Sequence, residues 1–235
     1  MSTLKPQKKQ KKENNQEMHD LELVHNINST NFRNENQKKL HSSIMQNYIT
    51  FAYGPAGTGK TFCALWAALE LVLKGDHKYN KIYLVKPYVT ADEDIGFLPG
   101  NVEDKLNPFL MSFYINLELI IGYQQVNKLK RSKVIEPVPI AYIRGVTFTD
   151  CIVILDEAQN ASKSQIKMFL TRLGDDCKFI IAGDLEQSDL DKESGLEDAV
   201  NRFNGIKGVG SVEFSKNDIV RHPLVKTILE KYEIE

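Results

Sequence analysis

Arginine is scarce in this chain, cysteine is scarcer, and no long apolar run occurs. Six arginines, Arg33, Arg131, Arg144, Arg172, Arg202 and Arg221, stand in 235 residues, so the choice of a guanidinium to act on a phosphate is short, and lysine cannot reproduce its planar fork. The three cysteines, Cys63, Cys151 and Cys177, are odd in number and far apart, which excludes a disulfide framework and a CxxC metal knuckle. They read as reduced, buried thiols of an intracellular protein. No stretch approaches the roughly 18 consecutive apolar residues of a membrane span, and the lysine-rich start lacks the apolar segment of a signal peptide. A cytoplasmic protein with no membrane contact is expected. Neither sign of charge is in excess: 30 basic against 31 acidic side chains leave a net charge of -1, so no overall field draws polyanions. Any nucleic-acid contact must be local.

What is present is ordinary globular composition, 42% hydrophobic and 26% charged, enough for one generous domain or two cramped ones. Residues 1–30 are rich in Lys, Gln and Asn and have no sustained apolar period, so they cannot offset the entropy of ordering and read as a disordered tail. Lys5, Lys8, Lys9, Lys11 and Lys12 precede any acid, and a basic arm gripping phosphate is the other reading of them. A single domain is expected over 31–235. Short apolar strands are predicted at Tyr48–Tyr53, Lys81–Val85, Val134–Val138, Cys151–Leu155, Lys178–Ala182 and Val209–Phe214. Helical spacing marks Thr61–Leu73 and segments near 102–121, 163–173, 196–203 and 224–232. That alternation gives an α/β fold, a mostly parallel sheet with helices on both faces.

Between the first strand and helix lies Gly54-Pro55-Ala56-Gly57-Thr58-Gly59-Lys60-Thr61, a full G-x-x-x-x-G-K-T phosphate loop in its required context. Glycines let the backbone curl so that successive N–H groups and the helix N-terminus point at phosphate oxygens. Lys60 would neutralise the β- and γ-phosphates of ATP, and Thr61 would ligate Mg2+. The run Ile152–Leu155 then ends in Asp156-Glu157. Asp156 is placed to hold the magnesium through its water shell, and Glu157 to orient and deprotonate the attacking water; a turn or helix cap is the plainer reading of the same two acids. Both acids together favour hydrolysis over phosphoryl transfer to a small molecule. Gln187, in Gly183-Asp184-Leu185-Glu186-Gln187 after the next strand, could sense the γ-phosphate, and Arg221 and His222 precede a helix near Pro223.

These residues resemble the PhoH-like ATPases. The resemblance rests on the Gly54–Thr61 loop, Lys86-Pro87 with Gly96–Gly100, Ala141–Gly145, Ile154–Asn160, Met168–Arg172, Gly183–Gln187 and Val220–Leu224, in order and spacing over roughly 33–232. It implies a RecA-like P-loop core akin to half of a superfamily-one helicase, ATP hydrolysis and a role on RNA. It also implies that Gln37 stands where such helicases keep an adenine-reading glutamine. Lys86 stands where the family usually has arginine, and the Gly183–Gln187 loop runs on without the proline often found there. Only a short tail precedes the core, so nuclease activity and firm RNA binding are not inherited from longer members. The compact Lys/Asn-rich form suggests a phage-encoded copy acting in the host cytoplasm.

The function expected is ATP binding and hydrolysis coupled to action on single-stranded RNA or DNA, as a helicase or remodelling ATPase. The alternative is an ATP-controlled binding switch without motor activity. One lobe cannot wrap its own nucleotide, so self-association into a hexameric ring is expected, with Arg221 or Arg172 reaching a γ-phosphate in cis or from a neighbour. A RecA-like core further predicts the strand order 209–214, 48–53, 178–182, 151–155, 81–85; direct pairing of 48–53 with 151–155 would indicate a kinase instead.

Overall fold

The computed structural model describes residue 27 and residues 31–74, 78–87, 102–187, 194–220 and 224, with the side chains of the long helix from Leu110 onward. The tail expected over residues 1–30, Ile27 apart, and the helix expected near 224–232, Leu224 apart, lie outside the described residues. In chain order the elements are α1 (Glu35–Gln46), β1 (Ile49–Tyr53), α2 (Lys60–Lys74), β2 (Lys81–Val85), α3 (Val102–Ile121), α4 (Tyr123–Arg131), β3 (Ile135–Pro137), β4 (Cys151–Leu155), α5 (Lys163–Leu170), β5 (Cys177–Gly183), α6 (Gly195–Phe203) and β6 (Val209–Glu213). Short 3-10 turns cover Ile140–Ile143, Ala158–Asn160 and Lys216–Asp218.

Six strands form one sheet in the order β3-β2-β4-β5-β1-β6, and every pairing is parallel. This is the RecA-like order, with β5 between the phosphate-loop strand and β4. The two central strands Cys151–Leu155 and Cys177–Gly183 are buried at every position, as continuously apolar runs covered on both faces require. Alternate side chains sort into two cores. Ala52, Ile82, Leu84, Ile152, Ile154 and Ile180 pack under α1, α2, α3 and α4. Phe51, Val153, Leu155, Phe179 and Ile181 pack under α5 and α6. Removing a side chain such as Phe179 from water stabilises the fold by roughly 1.5–3 kcal/mol. All three cysteines are free and buried; Cys151 and Cys177 are register partners, with their thiols 3.6 Å apart.

One residue breaks the apolar pattern of β5. Lys178 is 6% exposed and donates from Nζ to the carbonyls of Ile44 at 2.7 Å, Met45 at 3.0 Å and Asn47 at 2.6 Å. These are end carbonyls of α1, which have no partner within the helix. Burial pulls the ammonium pKa down to about 8, yet all three of its N–H groups are spent on the helix end. The same helix starts at Asn34, whose side chain accepts from the Gln37 N–H, a cap that stabilises by roughly 1 kcal/mol. With both ends anchored, α1 holds Gln37 under the phosphate loop.

Candidate functional site

Strand β1 delivers the chain to a loop that only glycine can make. Gly54 has φ +129, and a Cβ there would collide with the backbone carbonyl oxygen of Phe214. Gly59 has φ +88, and a Cβ would come within 2.6 Å of Gln37 Nε2. Both φ values lie where side chains are strained. Thr58 is fully buried and closes the loop by donating from Oγ1 to Pro55 O at 3.0 Å. From the far side, Val220 N–H donates to Gly57 O at 2.9 Å. Lys60 turns its Nζ onto the carbonyls of Gly54 at 2.5 Å and Pro55 at 2.8 Å, so its charge sits in the mouth of the loop.

The loop faces the end of β4. Thr61 donates from Oγ1 to Asp156 Oδ1 at 2.9 Å, and Lys86 Nζ lies 3.7 Å from Asp156 Oδ2 while donating to Ser112 Oγ at 2.8 Å. Burial pushes the Asp156 carboxyl up from its usual range; Lys86 opposes this, Glu157 adds to it, and the Thr61 hydroxyl opposes it. The next residue, Glu157, is in the left-handed region at φ 54, ψ 39, which turns its side chain out of strand direction. Its Oε2 accepts from Gln159 Nε2 at 2.8 Å, and Gln159 Oε1 accepts from the Asp184 N–H at 3.0 Å. A cleft of about 370 Å³ brings Lys60, Thr61, Asp156, Glu157, Asp184 and Gln187 together, with Ser112 and Asn116 of α3 along one side.

Oxygen donors fixed by hydrogen bonds, a loop lysine and a carboxylate beside them are groups that could hold a nucleotide and a hard divalent cation. Over residues 29–233 the sequence matches the family described as PhoH-like protein. This chain belongs to the PhoH-like family. It is 41% identical over 234 residues to the PhoH-like protein of Bacillus subtilis, covering 98% of this chain and 73% of that one. It is 41% identical to the PhoH-like protein of Synechocystis, spanning 84% of this chain and 60% of the relative. Protein PhoH of Escherichia coli K12 is 40% identical, with 85% and 57% covered. Among solved structures it is similar to the UvsW helicase of bacteriophage T4, at 15% identity over 77% of this chain and 59% of that one, TM-score 0.47, a distance at which nothing about activity carries over. In this PhoH-like chain no helix among the described residues is long and apolar enough to cross a membrane.

The fold brings the loop residues Ala56, Gly57, Gly59, Lys60 and Thr61 to one cleft with Asp156, Glu157 and Gln187, while Gly54, Pro55 and Thr58 lie outside its lining. Gln37 is 3% exposed and is not part of the cleft lining. Its Nε2 donates to Thr58 O at 2.9 Å and its Oε1 accepts from the Arg33 N–H at 2.8 Å, so it braces the loop from beneath. For Arg172 the cis half of the expectation does not hold. Helix α5 ends at Leu170 rather than near 173, and Arg172 lies in the turn before β5, its carbonyl bonded to the Phe148 N–H. That is the amino edge of the sheet, opposite the phosphate loop, so Arg172 cannot reach a γ-phosphate in cis. It donates to Met168 O and Thr171 Oγ1, each at 3.3 Å. Arg221, and the Gly96–Gly100 run, lie outside the described residues.

Four contributors carried no strong signal in the sequence. Gln159 sits inside the Asp156–Asn160 run, two residues past Glu157, and that proximity was its only mark. Ser112 and Asn116 are ordinary polar positions on an apolar helix. Asp218 collects Ser215 N–H and Asn36 Nδ2, each at 2.8 Å, and Ser215 Oγ at 3.0 Å, tying the segment after β6 to α1.

Proposed function

We propose that this PhoH-like chain, a single RecA-like domain from residue 31 onward, binds ATP with Mg2+ and hydrolyses it, coupling turnover to action on single-stranded RNA or DNA as a hexameric ring. The observation that carries the reading is the Thr61 Oγ1 to Asp156 Oδ1 contact of 2.9 Å, with Lys60 and Glu157 in the same cleft. A hydroxyl and a carboxylate held at that separation are the oxygen donors a magnesium ion takes while keeping several waters. Bound there, Mg2+ would neutralise charge on the β- and γ-phosphate oxygens.

Lys60 exchanges the carbonyls of Gly54 and Pro55 for phosphate oxygens, a stronger charge-assisted contact. Glu157, the base, accepts a proton from the attacking water, and Gln159 holds it in place. Gln187 lines the same cleft within reach of the terminal phosphate. An arginine worth roughly 10³–10⁵ in rate is supplied by Arg221 or by a neighbouring subunit.

The test is ATP turnover with and without single-stranded RNA and single-stranded DNA, run beside a measurement of mass. Large stimulation by one strand type supports the coupled ATPase. Turnover without stimulation supports an ATP-controlled binding switch, and no turnover overturns the reading.

A further inference from the structure

Opposite faces of the sheet carry surfaces that complement one another. On one face, α3 exposes Met111, Ile115 and Leu119, at 53, 52 and 73%. Four-residue spacing aligns them along one side of the helix, and Glu118 is exposed beside them. The inward side of α3 is already buried through Phe113, Leu117 and Ile120, so this is a second apolar stripe with no place in the core. Three large apolar side chains in a row exceed the scattered apolar residues of an ordinary surface.

On the other face, α5 and α6 leave between them a groove of about 570 Å³ with Ile166, Leu170, Ala199 and Phe203 along it. Lys163, Lys167 and Arg202 also line it. Asp198 engages Arg202 at 2.6 Å and Lys163 at 3.4 Å, which leaves Lys167 as the groove cation that meets no carboxylate among the described residues.

We infer that the Met111–Ile115–Leu119 stripe of one copy seats in the α5–α6 groove of a second copy, with Glu118 meeting Lys167. A row of side chains one turn apart fits the furrow between two helices as ridges fit grooves, and an acidic residue on the stripe faces a basic groove. The two surfaces lie on opposite faces of one sheet, so the contact is head-to-tail and repeats from copy to copy, closing as a ring or running on as a filament. Stripe against stripe across a two-fold axis would instead bring two Glu118 carboxylates to one seam.

The same contact bears on the nucleotide cleft. Ser112 and Asn116 of α3 line it, and Lys60 is the one cationic side chain among the described residues that do. A copy seated on the stripe therefore borders the cleft and presents a face bearing Lys163, Lys167 and Arg202. The inference rests on the oligomeric part of the proposed function and not on ATP hydrolysis.

The test is the mass of the full chain and of two variants at exposed positions, Leu119→Asp on the stripe and Ser164→Trp in the groove, with circular dichroism melting to confirm folding. The wild type is expected to be oligomeric and each variant monomeric. An equal mixture is expected to give a 1:1 dimer and nothing larger, because one intact stripe meets one intact groove and the other pair is blocked. Glu118→Lys is expected to weaken assembly and Lys167→Glu in the same chain to restore it. A monomeric wild type, an oligomer that survives in either variant, or a mixture that stays monomeric would overturn the interface. Binding of a fluorescent ATP analogue in the same samples separates the two readings: absent binding with the expected masses counts against the proposed function alone.

Discussion

Gln159 donates from Nε2 to Glu157 Oε2 at 2.8 Å. The orientation of that carboxamide is settled by its other end, since the Asp184 N–H at 3.0 Å can only donate and so must meet Oε1. Nε2 is thereby turned to Glu157, where it fixes the position of the side chain. The left-handed backbone of Glu157 costs about 1 kcal/mol or more and is held by these contacts. Gln159→Leu is expected to lower kcat by about 10–100-fold, below the full contribution of a general base, with the Kd for ATP little changed. Steady-state kinetics beside equilibrium binding checks this; a loss confined to Kd would remove Gln159 from the chemistry.

Lys60 and Glu157 share the cleft, and the proposed function has them act at different moments. In the proposed function Lys60 contacts phosphate in every bound state, so Lys60→Ala is expected to abolish nucleotide binding. In the same reading Glu157 acts on the attacking water, so Glu157→Gln should bind ATP normally and lose hydrolysis by at least ~10². Calorimetric titration with ATP and Mg2+, followed by a phosphate-release assay, distinguishes the two. Near-normal release from Glu157→Gln would assign the base elsewhere.

Sequence patterning reached the sheet more easily than the helices around it. Strands β4 and β5 announce themselves because burial on both faces demands unbroken apolar runs, and the phosphate loop because no other role explains Lys60-Thr61 after three glycines. Helices α1 and α4 were not legible. The buried residues of α1 are Gln37, Leu40 and Ile44, and those of α4 are Gln125, Val126 and Leu129, too few and too polar to set a period. Lys178 could not be foreseen because its partners are backbone carbonyls over 130 residues away in sequence. The exclusion of Arg172 in cis could not be foreseen for a related reason: which edge of the sheet its turn occupies depends on where α5 stops.

Two glycines of the site are required by what surrounds them. Gly54→Ala would drive a methyl group into the Phe214 carbonyl at a backbone angle alanine resists, so a loss of about 3 kcal/mol or more in stability is expected, with nucleotide binding lost. Gly183→Ala meets two side-chain ends first, Leu196 Cδ2 at 2.5 Å and Gln159 Oε1 at 2.8 Å, with the Gln159 backbone nitrogen behind them at 3.1 Å. Here the side chains give way, and Gln159 is displaced from Asp184. The expected result is a stable protein with the kinetic defect of Gln159→Leu, read by thermal melting and turnover together; full activity would mean that Gln159 can move freely.

Asp218 makes stability depend on pH in a way that can be worked out from its neighbours. Burial alone would raise its pKa, but the Ser215 N–H, the Asn36 carboxamide and the Ser215 hydroxyl outweigh it, with help from Lys39, and hold the carboxyl below its ordinary value. A depressed folded-state pKa means that the unfolded chain binds more protons near pH 4. The stabilisation is therefore complete above the unfolded pKa, near 4, and is lost as pH falls through the lower folded value. Asp218→Asn keeps the shape but gives up a charged acceptor, for an expected loss of about 1–2 kcal/mol at neutral pH. Urea unfolding of both proteins from pH 7 down to the acid transition checks this: the gap between them should close below about pH 4. A gap that stays constant through that range would assign the effect to packing of the 215–218 turn rather than to the carboxylate.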